Sequence, residues 1–158
     1  MTSGRSPEPD TALRRWLLLL LTLGLAGMGA DLLLLEHYED SWQLLPLFLI
    51  AVGLLAVVAF ALTRSVIAIR LLQLTMVLCL LAGATGLVLH YQSNAALQRE
   101  MDPTLSRWDV FRKAMHAQAP PAMAPAAMAQ LGLLGLAFTY RHPVLLSERL
   151  TVDDASDP

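Results

Sequence analysis

Charge is scarce in this chain. Of its 158 residues only 15% are Asp, Glu, Lys or Arg, while 56% are hydrophobic and the mean hydropathy is +0.54. A water-soluble domain carries about a quarter charged residues. The deficit is concentrated in four stretches of about 20 residues each, the length that crosses a bilayer. This excludes an extended disordered chain and argues against a soluble globular fold. Eleven basic residues against thirteen acidic ones leave a net charge of −2, so there is no basic footprint for nucleic acid. Cysteine is nearly absent as well. Cys79 stands alone among Val77, Leu78 and Leu80, which excludes an intramolecular disulfide and reads as a small buried hydrophobe. There is no CxxC, CxxCH, P-loop, GxGxxG, HExxH or GxSxG, so no catalytic residue is named and the chain reads as a non-enzyme.

What is present in abundance is leucine in long runs. The stretches cover about 16–36, 42–62, 66–90 and 122–141. At 1.5 Å per residue, about 20 helical residues match a hydrocarbon core roughly 30 Å thick. A secretory signal is the competing reading of the first stretch, because Arg14 and Arg15 precede the leucines. The run continues through 32–35, however, and Met28 is too large for a good cleavage motif near Ala30. Pro46 falls in the first turn of the second stretch, where a missing amide costs least. The third carries Arg70, Gln73 and Thr75, and the fourth is entered through Pro120, Pro121 and Pro125. None alternates with period two. The expected fold is all-α: an integral membrane four-helix bundle over 13–142. Residues 1–12 and 143–158 read as disordered cytoplasmic ends, and 91–121 as an outer loop.

The basic residues orient the bundle. With the N-terminus in the cytoplasm, Arg5, Arg14, Arg15, Arg64, Arg70, Arg141 and Arg149 lie inside, and only Arg99, Arg107, Arg112 and Lys113 lie outside. Basic residues near span ends favour the cytoplasm, so both termini are expected there, in a multi-pass protein of the cell (inner) membrane. Tyr38, Trp42 and Tyr91 mark one interface and Trp16 and Tyr140 the other. Within the outer loop, Asp102-Pro103 reads as a helix N-cap and first position. Leu105, Trp108, Phe111 and Met115 then follow at helical spacing, with Arg107, Asp109, Arg112 and Lys113 on the other side. This is a short amphipathic helix, laid on the membrane surface or capping the bundle.

Small residues form stripes. Gly24, Gly27 and Asp31 share a face of the first helix, Gly83, Gly86 and His90 of the third, and Gly132, Gly135 and Thr139 of the fourth. The plainer reading is that these are the faces where helices approach closely in lipid; the sharper one makes their polar ends a buried site. Gly53 stands alone in the second stretch. A faint echo links Leu-Leu-Glu-His-Tyr (34–38) with Val-Leu-His-Tyr (88–91), both on stretches running outward, as two parallel repeats would.

Asp31 is the most informative residue, because an ionised carboxylate within a span is expensive and ordinarily faces a partner or a functional cavity. Gln43, Gln130 and His90 are candidate partners. The outer rim collects Glu36, His37, Glu39, Asp40, His90, Glu100, Asp102 and His116. Among these, His37, His90 and Glu36 are the candidates for a divalent metal, and His37 with His90 for a haem iron, although no diagnostic spacing supports either. Titratable groups are ordinary where helices emerge into water.

Two segments, LLLLEHYEDSWQLLPL (32–47) and QLGLLGLAFTYRHP (130–143), resemble segments of uncharacterised small bacterial inner-membrane proteins with four transmembrane helices. The resemblance covers about a fifth of the chain and implies location and span count, with no activity, ligand or site. The leading expectation is a structural or accessory membrane component without a cofactor, held in the lipid bilayer beside a larger membrane protein or a second copy. The alternatives are an ion- or proton-handling transporter centred on Asp31, and a metal- or haem-binding membrane protein using His37 and His90.

Overall fold

The computed structural model describes residues 9–36, 41–117 and 124–147. The expectations for 1–8, 37–40, 118–123 and 148–158, His37 included, lie outside the described residues. Among the described residues the main helices follow in order: α1 (Pro9–Leu34), α2 (Ser41–Thr63), α3 (Val66–Met101), α4 (Arg107–Met115) and α5 (Ala124–Thr139). Residues 143–147, inside the tail expected to be disordered, are also helical because Val144 and Leu145 pack on the core. No strand occurs among the described residues. Among the described residues three segments are long and apolar enough to cross a membrane: Thr11–Leu34, Trp42–Thr63 and Val66–Met101. They mark the chain as a membrane protein. The shorter apolar helix, Pro125–Thr139, rises only about 23 Å.

Several helix ends differ from the sequence expectations, each for a local reason. Helix α1 starts at Pro9, inside the segment expected to be disordered. Helix α2 begins at Ser41, which puts Pro46 at its sixth residue rather than in its first turn. The carbonyl that loses its donor there belongs to Trp42, at an exposed helix end, where the loss is tolerated. Helix α3 does not stop near His90 but continues to Met101, so 91–101 is helix rather than loop. Its 36 residues rise about 54 Å, well beyond a hydrocarbon core of roughly 30 Å. Nothing between Ser93 and Glu100 breaks a helix; the fall in hydropathy marks the arrival of water, not the end of the hydrogen-bond ladder.

Asp102 is also corrected: it caps the C-terminus of α3 instead of starting α4. Its carboxylate accepts hydrogen bonds from the Thr104 hydroxyl (2.6 Å) and the Thr104 amide (3.0 Å), closing a turn. Ser106 is the true N-cap of α4; it accepts from the Asp109 amide at 3.1 Å and donates to the Asp109 carboxylate at 2.6 Å. Helix α4 then folds back along the end of α3. Val110 and Ala114 bury themselves against Ala95, and the Asn94 amide donates to the Ala114 carbonyl at 3.3 Å. The face that packs is therefore Val110/Ala114, while Trp108 (68% exposed) and Phe111 stack on each other in the open, centroids 5.4 Å apart.

Helix α1 packs against α2 and α5, and α3 against α2 and α5. The space these four helices share is filled by Leu21, Leu25, Leu72, Met76 and Phe138, all nearly inaccessible. Polar groups in this region are satisfied within their own helices: Thr22 donates to the Leu18 carbonyl (2.7 Å), Thr75 to Leu71 (2.9 Å) and Thr139 to Leu136 (3.1 Å). In lipid such back-bonding removes the penalty of an unpaired hydroxyl. Of the echo between 34–38 and 88–91, residues 37 and 38 lie outside the described residues; Glu36 leaves α1 in a left-handed turn (φ 52°), whereas His90 and Tyr91 lie inside α3.

Candidate functional site

Helix α5 has two contrasting neighbours, and the candidate site lies between it and α1. On the α3 side the glycines let backbones meet. A Cβ on Gly83 would lie 2.5 Å from the Ala129 amide nitrogen, and one on Gly132 would lie 2.7 Å from both the Leu80 nitrogen and the Met76 oxygen. Gly86 faces Pro125 (2.9 Å), and a Cβ on Gly135 would strike the Met76 side chain. No side chain fits at the first two positions unless the helices separate.

On the α1 side only Gly24 meets α5, where a Cβ would run into the Leu131 side chain. Gly27 departs from the expectation that it packs within the bundle: nothing lies within 4 Å of where its Cβ would be. From there outward the two helices leave a groove of about 580 Å³, lined on α1 by Gly27, Met28 and Asp31 and on α5 by Ala127, Gln130 and Leu134. Asp31 is exposed within it, so it faces the surroundings and not the packed centre. Of its candidate partners, Gln130 shares the groove; His90 and Gln43 do not line it.

The opposite end of the same helix pair, at the start of α1 and the end of α5, is fastened. The left-handed turn at Arg141 (φ 46°) reverses the chain after α5. The Arg14 guanidinium donates from Nη1 to the carbonyls of Phe138 (2.9 Å) and Tyr140 (3.2 Å), and from Nη2 to that of Arg141 (3.3 Å). These carbonyls end a helix and lack amide donors of their own, so a cation there completes the hydrogen bonds and opposes the helix dipole. Beside this contact His142 is buried with its ring edge-on to Phe60 (5.2 Å) and tilted against Phe138 (5.3 Å). Its Nδ1 accepts the Val144 amide at 3.3 Å. Burial, and then the positive charges of Arg14 and Arg64, push the imidazole down to about 4. Arg64 itself lies over the Phe60 ring, 5.3 Å from its centroid.

Arg14 and His142 were not singled out by the sequence, because their partners are distant in the chain. Gly53 was undervalued likewise: it is buried against Leu25 Cδ1 and Met76 Cε, each 3.3 Å from a Cβ built there. Of the rim residues, His37, Glu39 and Asp40 lie outside the described residues. Glu36 is exposed at the end of α1, His90 is half-buried on α3, His116 caps α4, and the hydrogen bonds from Thr104 hold the Asp102 carboxyl below its ordinary range. No group of three or more His, Cys, Asp or Glu side chains that could hold a metal ion occurs among the described residues. Comparison with known proteins supplies no counterpart: no family model, no curated protein and no solved structure matches this chain.

Proposed function

We propose that this protein is a non-enzymatic accessory component of the cell (inner) membrane, a four-helix transmembrane bundle with both termini in the cytoplasm. The observation that carries the reading is where the one carboxylate at membrane depth points. Asp31 lines an outward-facing groove, while apolar side chains fill the space between the helices. A transported ion needs polar groups along an interior path, and the packed centre offers leucine, methionine and phenylalanine. An exposed acid on a bundle wall addresses a neighbour instead. The orientation is supported by the basic residues: Arg14 meets the turn after α5, and Arg64, in the α2–α3 turn, sits over a phenylalanine packed on that same turn. These residues therefore share one end, the end expected to stay inside.

Two measurements test the reading. A reporter active only in the cytoplasm should give signal when fused after Pro158 and none when inserted at Thr104; the reverse pattern inverts the topology. The tagged chain, extracted in mild detergent and sized by light scattering, should run in an assembly containing a second polypeptide at fixed stoichiometry. A lone 17.2 kDa chain, or copies of this chain only, would sink the accessory role.

A further inference from the structure

We infer that the α1–α5 groove is the seat of one transmembrane helix of a different membrane protein, and that this helix carries a lysine or arginine near its outer end, set against Asp31. The inference rests on the accessory reading and names its contact surface. Three observations converge on it. The first is Gly27: glycine in a helix interior is destabilising relative to alanine, and none of the described residues comes within 4 Å of where its Cβ would be. Gly83 and Gly132 are explained by backbones pressed against them; Gly27 has the same floor with no occupant. A flexible lipid tail fits around a methyl group, whereas an approaching helix backbone does not.

The second observation is shape. The groove is closed at its inner end, where Arg14 fastens α5 to α1 and Leu131 meets Gly24, and it opens outward past Ala127. From Gly24 to Asp31 it runs about 10 Å along α1, two turns of a docking helix. Among the candidate spans the one in α1 is the least covered by the chain itself: 11% of its apolar window is buried, against 33% for α2 and 39% for α3.

The third is charge. Asp31 lies one turn below the end of α1, where an ionised carboxylate without a partner is costly. No lysine or arginine lines the groove among the described residues, and Arg14, Arg64 and Arg112 are held elsewhere: Arg14 on carbonyls, Arg64 on Phe60, and Arg112 with Asp109 at 3.5 Å. The carbonyl and amide of Gln130 beside Asp31 add one acceptor and one donor for the incoming head group. An apolar rod with a single positive group at that height complements all of these features, and a second copy of α1 would bring a second carboxylate instead.

The test uses photoreactive diazirine analogues at Met28 and Leu134, which line the groove, and at Leu55 and Leu78, which are exposed on α2 and α3. They are placed in the full chain in native membranes. The groove positions should give one protein adduct. Its cross-linked peptide, sequenced by mass spectrometry, should be an apolar span with Lys or Arg within a turn of its outer end. Asp31→Asn should reduce that adduct roughly tenfold or more, and Gly27→Leu likewise, with both variants as abundant and as heat-stable as the parent. Exchanging the charges, Asp31→Lys with the partner's basic residue changed to Asp, should restore it. Adducts at the groove with phospholipid only, with this chain only, or with a span lacking a basic residue overturn the inference, as does an Asp31→Asn yield equal to the parent's. A partner captured from Leu55 or Leu78 but not from the groove removes the groove assignment and leaves the accessory role standing. No protein adduct at any of the four positions removes both.

Discussion

The two faces of α5 show how one helix can be held in opposite ways. Toward α3 the contact is built from glycines whose missing side chains admit backbone atoms, and Gly83 and Gly132 leave no room for a methyl group. Toward α1 the contact is a fastening at one end, made by Arg14 on three carbonyls, and beyond Gly24 the helices part. Both faces carry the same small-residue pattern in sequence. In lipid, where apolar surface gains little by leaving its solvent, the closeness of approach decides what a glycine is worth. The same residue type is therefore structural on one face and available on the other.

The sharpest way to break this comparison is to fill the tight face. Gly132→Leu should lower stability by about 3 kcal/mol, because the added side chain meets backbone that cannot rotate away. Thermal aggregation in detergent measures it, and a melting point equal to the parent's would dissolve the distinction between the faces. Next comes the fastening. Arg14→Met keeps the chain length and removes the charged donors, and should cost about 2 kcal/mol. The loss should be accompanied by faster amide exchange after Tyr140, and unchanged exchange there would mean that the turn holds itself.

His142 sharpens the same fastened end through pH. Its imidazole titrates near 4 when folded and near its ordinary 6.5 when unfolded, so the unfolded chain takes up the proton first as pH falls. The stabilising contribution is complete above about pH 6.5 and drains away between about 6.5 and 4. His142→Phe retains a ring between Phe60 and Phe138 and should flatten the melting point across that window; a variant as acid-sensitive as the parent would place the titration elsewhere. The smallest effect belongs to the open face. Gly27→Leu should shift stability by no more than about 0.5 kcal/mol, since it meets nothing in the chain. A loss as large as that at Gly132 would show that the groove closes on itself.

Hydropathy made the helices readable, because a run of leucines reports its solvent directly. It misplaced their ends, because solvent and hydrogen-bonding pattern change at different residues. At His90 the surroundings turn aqueous while α3 continues through good helix formers to Met101. Asp102 looked like the start of a helix since Asp followed by Pro suits that position, yet Ser106 with Asp109 makes the better cap four residues later. Asp31 was legible as exceptional, but its direction was not, since spacing gives the face of a helix and not what stands opposite. Glycine spacing had the same blindness, ranking Gly27 above Gly53 although only Gly53 is enclosed. The Arg14 fastening was out of reach: residues 124 or more positions apart share no local pattern.

That separation has a consequence for the order of events during synthesis. Arg14 emerges from the ribosome more than a hundred residues ahead of the carbonyls it will hold. Throughout the making of α2, α3 and α4 its guanidinium must therefore be served by water or lipid phosphates at the membrane surface. Only when Phe138, Tyr140 and Arg141 arrive can the first helix be tied to the last. Until then the outer wall of α1 is free to choose a neighbour, and a chain cut short before residue 138 would leave that choice open indefinitely.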